Sequence, residues 1–84
     1  MNLSIEHICK DVLLCRWHKE GSYGDPYVAS CVVHTMDGLP YVKGLIVKEG
    51  ELTIEHAKEL KQRLSVPHLY FERDKYHAIK IRKI

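Results

Sequence analysis

The feature that most constrains the fold of this chain is the dipeptide Asp37-Gly38, which lies between two strand-like runs at residues 27–36 and 39–48. Asp-Gly is a preferred sequence for a two-residue type I′ turn, which joins the strands of a β-hairpin. A turn of this length sets the register of the hairpin, so the sequence predicts which residues face one another. The expected partners are Ala29 with Ile46, Cys31 with Gly44, and Val33 with Val42.

A third strand is predicted before this hairpin, because residues 13–18 follow a period of two. If the connecting loop is centred near Tyr23, large side chains of this strand face small ones of the next, as close packing requires. The predicted pairs are Leu13 with Val33, Cys15 with Cys31, and Trp17 with Ala29. These pairs indicate a three-stranded antiparallel meander with a helix packed on this face.

Two helices are predicted, one on each side of the meander along the chain. The first covers about residues 4–11 and is capped by Ser4. The second is capped by Thr53 and ends near Ser65, because Pro67 disfavours helical geometry in the residue before it. The apolar stripes are Ile5, Ile8, Cys9 and Val12 in the first helix, and Ile54, Ala57, Leu60 and Leu64 in the second.

Residues 68–73 and 77–83 complete the prediction as two further strands. The expected fold is one α+β domain over residues 1–84, in the order α-β-β-β-α-β-β. It contains a mostly antiparallel sheet of four to five strands and two helices. A chain of 84 residues has no room for a second core.

The second face of the meander is not cleanly polar, although an uncovered antiparallel face normally is. An apolar patch of this kind usually marks an interface. The sequence therefore predicts a homodimer or a complex with a protein partner; in the alternative, the final hairpin folds across this face and the protein is a monomer. The candidate interface residues are Val28, Val32, Met36, Leu39, Tyr41, Leu45 and Val47.

Positive charge is concentrated at the C-terminal end, although the net charge is only +2. Basic residues interleaved with aromatic ones can bind single-stranded nucleic acid, since rings stack on bases and cations contact phosphates. In the alternative interpretation, these charges only keep the solvent-facing side of the last strand polar. The candidate nucleic-acid-binding residues are Tyr70, Arg73, Lys75, Tyr76, Lys80 and Arg82.

No catalytic, cofactor-binding or metal-binding residues are predicted. Cys15-x2-His18 and Cys31-x2-His34 have a spacing used by zinc sites. However, residues at i and i+3 of a strand point to opposite faces, and the two histidines are expected at opposite ends of the sheet. The sequence also has no nucleophile elbow and no phosphate-binding glycine loop. The protein is therefore expected not to be an enzyme, and no small-molecule substrate is indicated.

The cysteine and charge pattern favours a cytoplasmic location. Three cysteines are an odd number, which indicates free thiols in a reducing compartment. The charged residues Glu6, Lys10 and Asp11 are not typical of a secretory signal. No apolar run approaches the roughly 20 residues of a membrane-spanning helix.

Three antiparallel strands, a helix and further strand resemble the second half of acetyltransferases of the GNAT type, over about residues 12–83, and in particular small phage-encoded proteins of that kind. The coenzyme A pyrophosphate loop of that family corresponds here to Lys48-Glu49-Gly50-Glu51-Leu52-Thr53, which has one glycine and two carboxylates. The resemblance implies a scaffold without the cofactor site. The expected function is thus a small intracellular, non-catalytic binding or accessory protein acting through protein–protein contacts. The alternatives are single-stranded nucleic-acid binding and a degenerate acetyltransferase-like domain.

Overall fold

The computed structural model describes residues 2–21, 24–75 and 78–84, with the backbone alone at 73–75 and 78–82. Six strands and one helix make up the described fold. In chain order they are β1 (Asn2–Cys9), β2 (Val12–His18), β3 (Ala29–Met36), β4 (Leu39–Val47), α1 (Ile54–Arg63), β5 (Tyr70–Lys75) and β6 (Ala78–Lys83).

The strands form one sheet in which their spatial order is their order along the chain. Every pairing is antiparallel except that of β4 with β5, which is parallel. A parallel connection needs a crossover, and α1 supplies it. Because Leu60 of α1 belongs to the same buried cluster as Cys15 and Trp17 of β2, the helix covers one face of the sheet.

The predicted helix over residues 4–11 is wrong: this segment is β1, an edge strand paired with β2. Its apolar residues also fit a period of two, since Leu3 and Ile5 pair with Trp17 and Cys15 of the core face. A helix of two turns is not stable without tertiary support, whereas strand pairing supplies backbone hydrogen bonds and burial together.

The predicted order α-β-β-β-α-β-β is therefore wrong, as is the number of helices, because the first of the two predicted helices is a strand. The sheet also differs from the expected four to five strands. Among the residues that the structure describes, the order is β-β-β-β-α-β-β, with six strands and one helix. Cys9, expected on a buried helical stripe, is exposed at the end of β1.

The predicted register of the meander is confirmed where β2 meets β3. Leu13 pairs with Val33, Cys15 with Cys31, and Trp17 with Ala29. The predicted hairpin turn is also confirmed, since Asp37 and Gly38 have φ angles of 52° and 78°, the left-handed values that a type I′ turn requires.

The predicted register of β3 with β4 holds at Val33, which pairs with Val42, and then fails. A bulge shifts the pairing, so Ala29 faces Val47 instead of Ile46. Gly44 adopts a φ of 59° at this point, a conformation that glycine reaches without strain. The consequence is that Leu45 and Val47 lie on the helix-covered face.

The second predicted helix is present as α1, with Thr53 at its N-cap as expected. The backbone N–H of Thr53 donates to Nδ1 of His56 at 2.9 Å. Leu60 is fully buried, and Arg63 donates from Nη1 to the carbonyl oxygen of Leu3 at 2.6 Å, which ties the helix to β1. Nothing helical in the described ranges is long and apolar enough to cross a membrane.

The C-terminal end of α1 forms a Schellman motif. The N–H of Ser65 donates to Gln62 and that of Val66 donates to Lys61, which satisfies two of the last helical carbonyls. Ser65 has a φ of 54°, which is strained for a residue with a Cβ.

Replacing Ser65 by glycine is expected to raise the free energy of unfolding by about 0.5–1 kcal/mol, because relief of the left-handed strain exceeds the added entropy of the unfolded chain. Urea denaturation followed by circular dichroism measures the change. Ser65→Val is the matched opposite and should lower stability, since a β-branched residue is disfavoured at this φ. A glycine variant less stable than the wild type would contradict this prediction.

Candidate functional site

The final hairpin of β5 and β6 extends the sheet and does not fold across it, because Tyr70 and Phe71 pair with Tyr41 and Val42 at the β4 edge. The face of the sheet opposite α1 is called the open face here. Within the described part of the chain, no helix or strand lies over it.

Two rows of cross-strand neighbours cross the open face. The central row is Glu6, Leu14, Val32 and Lys43, and the tyrosine row is Val12, His34, Tyr41, Tyr70 and Lys83. All of these side chains are half-buried except Lys83, which is exposed. The central row thus places two adjacent aliphatic side chains between an acidic and a basic one.

The tyrosine row contains an aromatic pair. The rings of Tyr41 and Tyr70 have centroids 5.5 Å apart and are tilted by 37°. On the same two strands, Nζ of Lys43 lies 3.5 Å from Oε1 of Glu72. This half of the open face therefore presents aromatic surface beside a partly exposed ion pair.

One end of the open face is closed by residues 25–27, which precede β3, and His18 anchors this segment of the loop. Its side chain is fully buried. Nδ1 lies 3.1 Å from the carbonyl oxygens of Asp25 and Pro26, so it donates to them, and Nε2 is hydrogen-bonded to the Ser4 hydroxyl at 2.7 Å. Both ring nitrogens thus have hydrogen-bond partners.

Tyr27 belongs to the same loop, and its ring contacts two cationic side chains. The guanidinium carbon of Arg16 lies 4.8 Å from the centroid of its ring, and Nζ of Lys48 lies 4.0 Å from it. Cation–π contacts of this geometry stabilise by about 0.5–1 kcal/mol at partly exposed positions. The loop end of the open face is therefore a packed boundary, and the apolar surface available for contact lies toward the other end.

Of the predicted interface residues, Val32, Met36, Leu39 and Tyr41 are brought together on the open face. Val28 is not among them, because its side chain is only 8% exposed and belongs to the core cluster. The remaining two, Leu45 and Val47, lie on the helix-covered face beyond the bulge, as described above.

Of the predicted nucleic-acid-binding residues, Tyr70 lies in the tyrosine row. Arg73 and Lys80 are paired neighbours on β5 and β6, and Arg82 pairs with Phe71. Lys75 ends β5, and Tyr76 lies outside the described residues, as does Tyr23 of the first loop. The backbone thus places the four predicted basic residues on the hairpin that carries Tyr70, at strand positions that alternate with that of Tyr70.

The cysteine and histidine pairs separate as their strand positions predict. Cys15 and Cys31 are paired neighbours in the core, whereas His18 and His34 lie near opposite ends of β2. A hydrogen bond from the Cys31 thiol to Cys15, together with burial, raises the pKa of Cys31 far above its ordinary value. In the described ranges no group of three or more His, Cys, Asp or Glu side chains is arranged to hold a metal ion.

Sequence reasoning did not identify the role of His18 or the ion pair of Lys43 with Glu72. Neither carries a local signal, since His18 contacts residues 7, 8 and 14 positions away and Lys43 reaches across the parallel strand pair. The apolar character of the open face itself was visible in the sequence. No family model matches the chain, and searches of curated proteins and of solved structures find no similar protein.

Proposed function

We propose that this protein is a non-catalytic binding protein acting through protein–protein contact, and that its open face docks on a second copy of the chain. Support comes from the apolar side chains of Leu14 and Val32 at the centre of that face. A solvated antiparallel face normally alternates to polar residues. Apolar residues on an uncovered face are typical of an interface.

The order of charges along the central row is the reason for proposing a second copy of the chain as the partner. Along the row, acidic Glu6 is followed by Leu14, Val32 and basic Lys43. In a dimer whose open faces meet and whose two-fold axis passes between Leu14 and Val32, the central row of one copy runs antiparallel to the central row of the other. Glu6 of each copy then faces Lys43 of the other, and the aliphatic side chains face each other. Such self-complementarity is what a two-fold interface requires.

The dimensions of the protein are sufficient for this contact. It measures 34 × 30 × 21 Å, and a sheet face spanning the two longer dimensions can supply the roughly 800 Å² that a standard interface takes from each partner. Two sheets packed face to face lie about 10 Å apart with their side chains interdigitated. The half-buried side chains of the open face would then form the middle of a sandwich.

The first test is the mass of the protein in solution, measured by sedimentation at micromolar concentration. The wild type is expected to be a dimer. Val32→Lys should raise the dissociation constant by about 100-fold or more, because the contact would bury an unpaired charge. Ile54→Lys is the matched control: Ile54 is 48% exposed on the helix, so the dimer should persist.

The second test reverses the charges of the central row. Glu6→Lys and Lys43→Glu should each weaken the dimer, and the double variant should recover much of the loss. All are made in a Glu72→Gln background, so that a glutamate at position 43 does not face Glu72. Melting temperatures separate weakened docking from weakened folding. A wild type that sediments as a monomer at about 100 μM would contradict the proposal, as would a double variant weaker than both single ones.

A second candidate function is single-stranded nucleic-acid binding, and the Tyr41–Tyr70 pair favours it. The half-buried rings of Tyr41 and Tyr70 can stack on bases through their accessible surface, and the register places Lys43 and Lys83 next to them. A labelled oligonucleotide titrated at about 50 mM salt tests this candidate. Binding that weakens steeply with salt and is abolished by Lys43→Gln with Lys83→Gln supports it. No binding at this salt removes it.

A further inference from the structure

A cleft of about 220 Å³ opens between the first half of α1 and the sheet, on the face opposite to the proposed dimer contact. Its lining comes from separate parts of the fold. Trp17, Leu45 and Phe71 line it from the sheet, and Thr53, Ile54 and Ala57 line it from the start of the helix. The lining is therefore mostly apolar.

The cleft exists because α1 is in full contact with the sheet at only one position. Leu60 is the helical residue that is completely buried. One turn earlier, Ala57 presents only a methyl group, which leaves space beneath the helix. The β4 bulge brings Leu45 to this side of the sheet, but its side chain remains 42% exposed and does not fill the space.

The mouth of the cleft also has the character of a binding site. Leu45 and Ile54 are large aliphatic residues that line the cleft and remain 42% and 48% exposed. Exposed apolar residues gathered at a concave surface are typical of small-molecule sites. Isolated exposed aliphatic residues would need no such explanation, but here the two flank one opening.

Polar groups in the lining are few. Thr53 contributes a hydroxyl. The indole nitrogen of Trp17 is buried, has no hydrogen-bond partner among the described residues, and presents no surface to the cleft. No charged side chain of the described part of the chain lines the cleft. Its chemistry thus suits an uncharged, apolar molecule whose single polar group meets the Thr53 hydroxyl.

We propose that this cleft is a binding site for a compact, uncharged apolar molecule with a single polar oxygen, of the class of medium-chain alcohols and ketones. The volume is consistent with this class, since a dry apolar cavity of about 150 Å³ holds benzene, and 220 Å³ admits roughly ten non-hydrogen atoms. The site is separate from the open face and does not depend on dimerisation.

Trp17 makes the proposal directly measurable, because it is the only tryptophan of the chain. In a titration with 1-octanol, the emission of the wild type is expected to change and saturate, with a dissociation constant on the order of 100 μM for a ligand of this size. Ala57→Leu fills the space beneath the helix. It should weaken binding at least tenfold and raise the melting temperature of the unliganded protein.

Gln62→Leu is the matched control, since it places the same residue on the exposed side of the same helix and should leave octanol affinity unchanged. Ala57→Val is a milder filling variant, used if the leucine variant does not fold. A linear, unsaturated fluorescence change in the wild type would overturn the proposal, as would filling variants that bind octanol as tightly as the wild type. Val32→Lys should bind octanol normally, which keeps this test independent of the proposed dimer.

Discussion

Replacing Leu60 by alanine is expected to lower the free energy of unfolding by about 3–5 kcal/mol, the upper part of the range for a buried leucine. Leu60 has no exposed surface and is the one helical residue completely buried against the sheet. Its loss would add a cavity next to the existing cleft, so the surroundings have little means of collapsing. For a domain of this size the change is a large share of the total stability.

Urea denaturation, followed by the emission of Trp17, measures this effect. Ile54→Ala is the control, because it removes a side chain of the same size from the same helix at a position that is 48% exposed. The control should cost less than about 1 kcal/mol. Equal losses for the two variants would mean that α1 is not held through Leu60.

Replacing His18 by alanine is expected to cost about 3 kcal/mol. The substitution removes a completely buried ring and leaves the Ser4 hydroxyl and the carbonyls of Asp25 and Pro26 without this partner. Both the cavity and the lost hydrogen bonds destabilise the folded state. The same loss should release the loop between β2 and β3, which hydrogen exchange of the Val28 amide would detect.

Two further variants show which part of the His18 network is responsible. Ser4→Ala removes a single hydrogen-bond partner and should cost about 1 kcal/mol. His7→Ala changes an exposed histidine of the same edge strand and should leave stability within about 0.5 kcal/mol of the wild type. If His18→Ala were no more harmful than His7→Ala, the loop would have to be held by other contacts, such as those of Tyr27.

The alternation of residue types in the sequence predicted part of the open face. The apolar residues on the second face of the meander were recognised from their alternation, and Val32, Met36, Leu39 and Tyr41 do share that face. Alternation could not place Leu45 and Val47, because the bulge at Gly44 reverses the faces of every later residue in β4. A glycine inside a strand was the available signal.

Short-range chemistry determined what the sequence predicted correctly. The Asp37-Gly38 turn, the N-cap at Thr53 and the facing pairs of β2 and β3 each depend on neighbouring residues or on one short loop. These preferences do not depend on where the segment lies in the folded protein, so they can be predicted from the sequence without a tertiary structure.

Long-range competition decided the rest. Residues 4–11 carry apolar residues that fit both a helical and a strand period, and only pairing with β2 selects the strand. The sequence also allowed the final hairpin to fold across the apolar second face of the meander. The crossover by α1 instead places the hairpin beside β4, so no described element covers that face. These choices depend on which surfaces meet after the chain folds back on itself, and that information is not local to any segment.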